Sequence, residues 1–204
     1  MPSSPRVQAR VAGIAYLVTH VTAVTAVLAY GAGAVPAGVT LELMLAFGCV
    51  ATGVLVGWLL RAAGPVRGAT FALLRAVEAA VILAGALPLL ASTWLSSGNG
   101  FAEAAREMHT ASFLLGQGLV ISVNTVVVAW LLWDSRATPR ALALLGALGG
   151  VVVLISNLAQ LWSVIPLNGT LAGAAAAPVF AFEVWFALHL IVVGLPHRQA
   201  DTPQ

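Results

Sequence analysis

GATFALLRAVEAAVILAGALPLL, residues 68–90, is 23 residues long and carries two charges, Arg75 and Glu78. A helix rises about 1.5 Å per residue, so a run of this length covers the ~30 Å of hydrocarbon in a bilayer. In lipid the backbone must satisfy its own hydrogen bonds within the segment, which selects a helix over a strand. The two charges are three residues apart and therefore neighbours on that helix, able to pair. Pairing lowers the cost of holding either one so deep. Two readings stand open: an ion pair that locks this helix to its partners, or an orienting pair beside a ligand.

Working outward, five more apolar runs lie at about 11–30, 41–60, 111–133, 141–165 and 171–195. The breaks between them carry helix-ending chemistry: 31–38 around Pro36, Gly64-Pro65, 96–100, Pro139, Pro166 with Gly169, and Pro196. The expectation is an all-α, polytopic bundle of six transmembrane helices, with 1–204 as a single integral membrane domain. Arg6 and Arg10 before an apolar run, with Ala32-Gly33-Ala34 behind it, raise the question of a signal peptide. The run exceeds the roughly 7–15 residues of a signal core and reads better as a retained first span.

Composition agrees. The chain is 60 % hydrophobic and 8 % charged, with mean hydropathy +0.99. A soluble domain is about a quarter charged. All nine basic side chains are arginine. With no lysine, no retinal-type or pyridoxal-type Schiff base can form. Cys49 is the one cysteine, which excludes an internal disulfide and a cysteine metal cluster. In its apolar run it reads as a small hydrophobe. The arginines are too dispersed for a nucleic-acid face.

Orientation follows from those arginines. Arg6, Arg10, Arg61, Arg67, Arg136, Arg140 and Arg198 fall on one side of a six-span arrangement, and Arg106 alone on the other. Cytoplasmic loops collect positive charge, so both termini are expected in the cytoplasm. Trp58, Trp94 and Trp133 near span ends read as interfacial anchors. The small-xxx-small pairs Gly53/Gly57 and Gly146/Gly150 read as close helix packing within the bundle.

Ionisable and amide groups inside the spans are expensive and normally point into a bundle. His20 lies in the first span, Arg75 and Glu78 in the third, Gln117 and Asn124 in the fourth, Asn157 in the fifth, and Glu183 and His189 in the sixth. Glu183 is 12 residues from each expected end of its span (171 and 195), near the midplane. Periodicity groups these with small residues. One stripe is Ala172, Ala176, Glu183, Ala187 and Gly194, and another is Gly13, Tyr16, His20, Val27 and Gly31. Glu42, Cys49 and Gly53 make a third, Gly146, Gly150 and Asn157 with Gln160 a fourth, and Gln117 with Asn124 a fifth. His189, six residues past Glu183, faces elsewhere. Glu183 has no charged neighbour on its own helix and must find Arg75, His20 or Asn124 across the bundle, or stay protonated. Glu103, Glu107 and His109, with Glu42, could in principle hold a divalent metal, but the spacing matches no metal motif and solvated charge is favoured.

The stretches ARVAGIAYL (9–17), LLRAVEAAV (73–81), ALALLGALGGVVVLISNLAQL (141–161) and FEVWFALHLIVVGL (182–195) together resemble the bacterial membrane proteins grouped as domain of unknown function 4386. The likeness runs over roughly residues 8 to 196, and His109 at the head of the fourth helix fits it. It implies a helical fold in a bacterial cytoplasmic membrane and no agreed activity.

Three function classes follow. In the first, Glu78, Glu183 and His20 are catalytic acid/base groups acting on a lipophilic small molecule in a cyclase- or isomerase-like reaction. Arg75, Asn124, Tyr16, Gln117 and Asn157 would then bind that molecule. The second is a small-molecule or proton-coupled carrier, with Glu183 as the protonation site. The third is a structural or assembly protein with a well-packed polar core. No cofactor and no metal is expected, the lipid bilayer is a necessary partner, and oligomeric state is left open.

Overall fold

The computed structural model of the chain describes residues 4–95 and 100–195. The helices are α1 (Pro5–Gly31), α2 (Val35–Leu59), α3 (Pro65–Ser92), α4 (Phe101–Phe113), α5 (Ile121–Ser135), α6 (Arg140–Leu161) and α7 (Thr170–Val192), and there is no strand among the described residues. A π-helical segment, Leu114–Val120, joins α4 to α5 without a break. Among the described residues six helices, counting Phe101–Ser135 as one, are long and apolar enough to cross a membrane. The protein is a multi-pass membrane protein. The breaks expected at residues 96–99 and at Pro196, and the arginine at 198, lie outside the described residues.

Helix starts follow local chemistry. Pro stands in the first turn of α1, α2 and α3, where its missing N–H leaves nothing unsatisfied. Ser4 caps α1 by accepting from the Val7 amide. The fourth crossing departs from expectation, starting at Phe101 rather than near residue 111 and running 35 residues to Ser135. Its first turns, FAEAAREMHTASF, are amphipathic. They carry the helix beyond the apolar stretch by which a hydropathy reading recognises a span.

The crossings close into a ring. α1 packs on α2 and α7, α2 on α3, α3 on the α4–α5 crossing, α5 on α6, and α6 on α7. Every helix therefore has one wall facing lipid and one facing the middle. The lipid walls expose Val21, Leu28, Phe47, Leu73, Leu148 and Val192, each more than half accessible, as expected where the solvent is hydrocarbon. The glycine pairs act inside this ring. A Cβ on Gly57 would stand 2.6 Å from the Gly68 carbonyl oxygen, and one on Gly53 2.7 Å from the Arg75 Cβ.

The two ends differ. At one end lie Arg6, Arg10, Arg61, Arg67, Arg136 and Arg140, with Arg61 over the Trp58 ring at 3.4 Å, Arg67 over Trp130 at 4.5 Å and Arg140 over Trp133 at 5.1 Å. Arg67 also pairs with Asp134. Behind this belt the interior is solid: Phe71, Leu131, Leu142, Phe182, Phe186 and Leu190 are fully buried in one cluster. Toward the other end the core thins to a small cluster around Leu45, Ala46, Cys49, Ala79 and Ile82. One stripe departs from expectation there: Val27 is 59 % exposed. The buried line of α1 runs instead through Thr19, Thr22 and Ala26, because a seven-residue step drifts about 20° per repeat on a straight helix.

Candidate functional site

At mid-depth Arg75 and Glu78 lie one turn apart on α3, and each side chain is 2 % exposed. Arg75 Nη1 donates to Glu78 Oε2 at 2.9 Å, while its Nε and Nη2 donate to Thr52 Oγ1 on α2 at 3.2 and 3.0 Å. Asn124 Nδ2 donates to the same Glu78 oxygen at 2.8 Å, and the Cys49 thiol approaches Oε1 at 3.8 Å. The Tyr16 ring covers the guanidinium, 5.3 Å from its centroid. The stem of Arg75 packs closely on α2 because Gly53 has no side chain: a Cβ there would lie 2.7 Å from the Arg75 Cβ. Four crossings are thus tied at one level, and the buried charge is matched, as burial in a low dielectric requires.

Glu183 on α7 is the second carboxyl at this level, and its Oε2 lies 3.2 Å from His20 Nε2. The other ring nitrogen, Nδ1, is 2.8 Å from the Tyr16 carbonyl. A carbonyl only accepts, so Nδ1 carries a proton. The Nε2···Oε2 contact then needs one proton more, on either the carboxyl or the imidazole. A proton shared between them would sit on either group, the arrangement that general acid/base chemistry uses. Phe180 packs edge-on against the His20 ring at 5.1 Å.

Both arrangements border one cavity of about 250 Å³, to which all six crossings contribute. His20, Arg75, Glu78, Gln117 and Glu183 line it, with Cys49 and Thr19. Most of the remaining wall is apolar: Val24, Leu45, Phe113, Val153, Val179 and Phe180. Tyr16 and Asn124 do not line it, and each is 1 % exposed, one behind Arg75 and the other behind Glu78. Asn157 borders a neighbouring chamber, where its Nδ2 donates to Val153 O and its Oδ1 accepts from Gln160. His189, set apart from Glu183, has its Nε2 3.3 Å from the Ala137 carbonyl.

Glu42 sits in a separate cluster toward the far end. Its Oε2 accepts from the Tyr30 hydroxyl at 2.8 Å, and its Oε1 lies 2.7 Å from His109 Nε2. Tyr30 and His109 also meet edge to face at 5.0 Å. This ties α1, α2 and α4 together. Among the described residues no three His, Cys, Asp or Glu side chains are placed to hold a metal ion.

Sequence reasoning missed Thr52, Thr19, Tyr30 and Phe180. Thr52 follows Cys49 by three and so shares its face, which was the available signal. For Phe180 there was none, since an aromatic on a lipid-facing arc is ordinary.

A family model described as "Domain of unknown function (DUF4386)" matches residues 11–194. The chain belongs to this DUF4386 family. The match takes in every crossing and both mid-depth arrangements, so the ring and its cavity lie inside the DUF4386 region. No curated protein and no solved structure matches the chain significantly.

Proposed function

We propose that this DUF4386 protein binds a lipophilic small molecule in its central cavity and performs acid/base chemistry on it there. The observation that carries the reading is the His20–Glu183 pair, 3.2 Å apart on the wall of a largely apolar cavity. Of the two mid-depth carboxyls, Glu183 is the better placed to act. Glu78 is held by Arg75 and Asn124 and serves to position the Arg75 face of the cavity, whereas Glu183 meets His20 alone. A cyclase- or isomerase-like step suits such a pair. It adds its proton to one carbon of a double bond, and the resulting cation returns a proton from the adjacent carbon, so nothing is consumed. A cavity lined by Val24 and Phe180, both more than half exposed on the arc between α1 and α7, suits entry from the lipid side.

The same reading places the chain in a bacterial cytoplasmic membrane as one domain, with the arginine-rich end and both termini in the cytoplasm. Reporter fusions after residues 34, 64, 100, 136, 168 and 204 should then alternate between outside and inside, and an external C-terminus would reverse the orientation.

The test of binding is chemical. Protein purified in mild detergent is extracted, and the released molecules are identified by mass spectrometry. Ala176→Trp, which fills the cavity, should release at least tenfold less of a specific molecule than wild type, while Ala174→Trp on the exposed arc should match wild type. Identical extracts from all three would leave the cavity without a ligand and overturn the proposal.

A further inference from the structure

The central cavity does not end at Gln117. A second chamber of about 250 Å³ shares Phe113, Gln117, Val153 and Ala176 with it. A third, of about 630 Å³, shares Leu114 and Gln160 with the second and reaches Glu107 and Thr110 on α4. The three run end to end from the His20–Glu183 pair to the end opposite the arginine belt. The second chamber is polar where the first is greasy: Gln117, Ser156, Asn157, Gln160 and Asn168 border it. Of these, Gln117 Nε2 and Ser156 Oγ are buried with no hydrogen-bond partner among the described residues. A buried polar group left unsatisfied is costly. A polar chamber of this size has ample room for water, which needs only ~10–15 Å³ and two or more partners.

The backbone explains the gap. Near its start α7 runs Ala172-Gly-Ala-Ala-Ala-Ala, all short side chains, and Ala172, Gly173, Ala175 and Ala176 border the second chamber. A Cβ on Gly173 would meet nothing within 4 Å. On the arginine side of the pair the passage stops. Tyr16, Phe182 and Phe186 are at most 1 % exposed, with Tyr16 edge-on to Phe186 at 5.7 Å and Phe182 stacked on Phe186 at 5.8 Å.

We infer that a hydrated half-channel bounded by the π segment, α6 and α7 leads from the Glu107 end to the His20–Glu183 pair. The pair exchanges its proton with that compartment alone. The route reaches the pair through the central cavity and rests on the chambers alone, so labelling of ligand-free protein tests it separately from the ligand reading.

Substituted-cysteine accessibility in sealed proteoliposomes tests it. In a Cys49→Ser background, single cysteines replace Ser156 and Thr19, the latter on the wall beside His20. A small, charged, membrane-impermeant methanethiosulfonate is added to one face at a time. Both positions should react from the Glu107 face, and Ala143→Cys in the solid half from neither. Adding Ala172→Trp at the chamber wall should slow labelling at position 19 by at least tenfold, and Ala174→Trp should not. Labelling from both faces would overturn the one-sided route. Labelling by a membrane-permeant maleimide but not by the charged reagent would mean a dry, lipid-accessible gap and would overturn the hydrated one. Each variant is first checked for wild-type elution on gel filtration, and a conservative Thr19→Ser protein provides the comparison for any change in fold at that site.

Discussion

Small residues behind the arginine belt and those at the start of α7 are used in opposite ways. In the half behind the arginine belt, Gly13, Gly57 and Gly68 bring helix backbones into contact: a Cβ on Gly13 would lie 2.6 Å from the Ala187 carbonyl, and one on Gly68 2.7 Å from the Gly57 carbonyl. Large side chains such as Phe71 and Phe182 fill what is left. In the other half, the alanine-rich start of α7 borders the open chambers, and a Cβ on its Gly173 would meet nothing within 4 Å. A stripe of small residues is thus a contact where the neighbouring helix closes in, and a cavity wall where the neighbour is held off. The Arg75–Glu78 network and the His20–Glu183 pair lie on the boundary between these two regimes, one serving each.

The sharpest way to break this comparison is to remove one charge at the boundary. Arg75→Met or Glu78→Gln alone should destabilise the protein by about 3–5 kcal/mol, because each leaves a buried charge without its partner, and the double replacement should cost less than the sum. A double-mutant cycle on unfolding in detergent checks it, and additive losses would mean that the 2.9 Å pair does no coupling work.

The glycine contrast comes next in size. Gly57→Ala should destabilise by about 1–3 kcal/mol, since its new methyl meets the Gly68 carbonyl and not a movable side-chain tip. Gly173→Ala should be neutral or stabilising by up to ~1 kcal/mol, because alanine is the better helix former and the space is open. Equal effects at the two glycines would erase the distinction between the halves.

How far the sequence already carried this distinction differs by feature. The six crossings were legible because hydropathy over twenty residues is a strong signal, and the mid-depth charges were legible because each is costly in lipid. The start of the fourth crossing at Phe101 was not, since an amphipathic turn outside the apolar core gives no hydropathy signal. Nor was the π segment, whose register depends on how α3 and α6 press on it. Glu78 and Glu183 were distinguishable in part, since Glu78 has Arg75 one turn away and Glu183 has no charged neighbour on its own helix. The three-dimensional placement of Asn124 and His20 completes the separation between a saturated carboxyl and one that meets a histidine.

A smaller effect is expected at the far end. Tyr30→Phe removes one of the two groups that hold Glu42 and should destabilise by about 0.5–1.5 kcal/mol, read as a modest fall in melting temperature. No change would mean that this cluster does not clamp α1 to α2.

The smallest stability effect is expected at Glu183, and it carries the most weight. Glu183→Gln keeps the shape of the side chain and its contact with His20 but removes the transferable carboxyl proton. Wild type and Glu183→Gln are purified side by side, and melting temperature and co-extracted small molecules are measured on the same samples. The account expects a melting temperature within about 3 °C of wild type, the shift that ~1 kcal/mol makes in a chain of this size, together with loss or chemical change of the bound molecule. A fall of many degrees with the same molecule in both extracts would make Glu183 a packing group and would contradict the acid/base site.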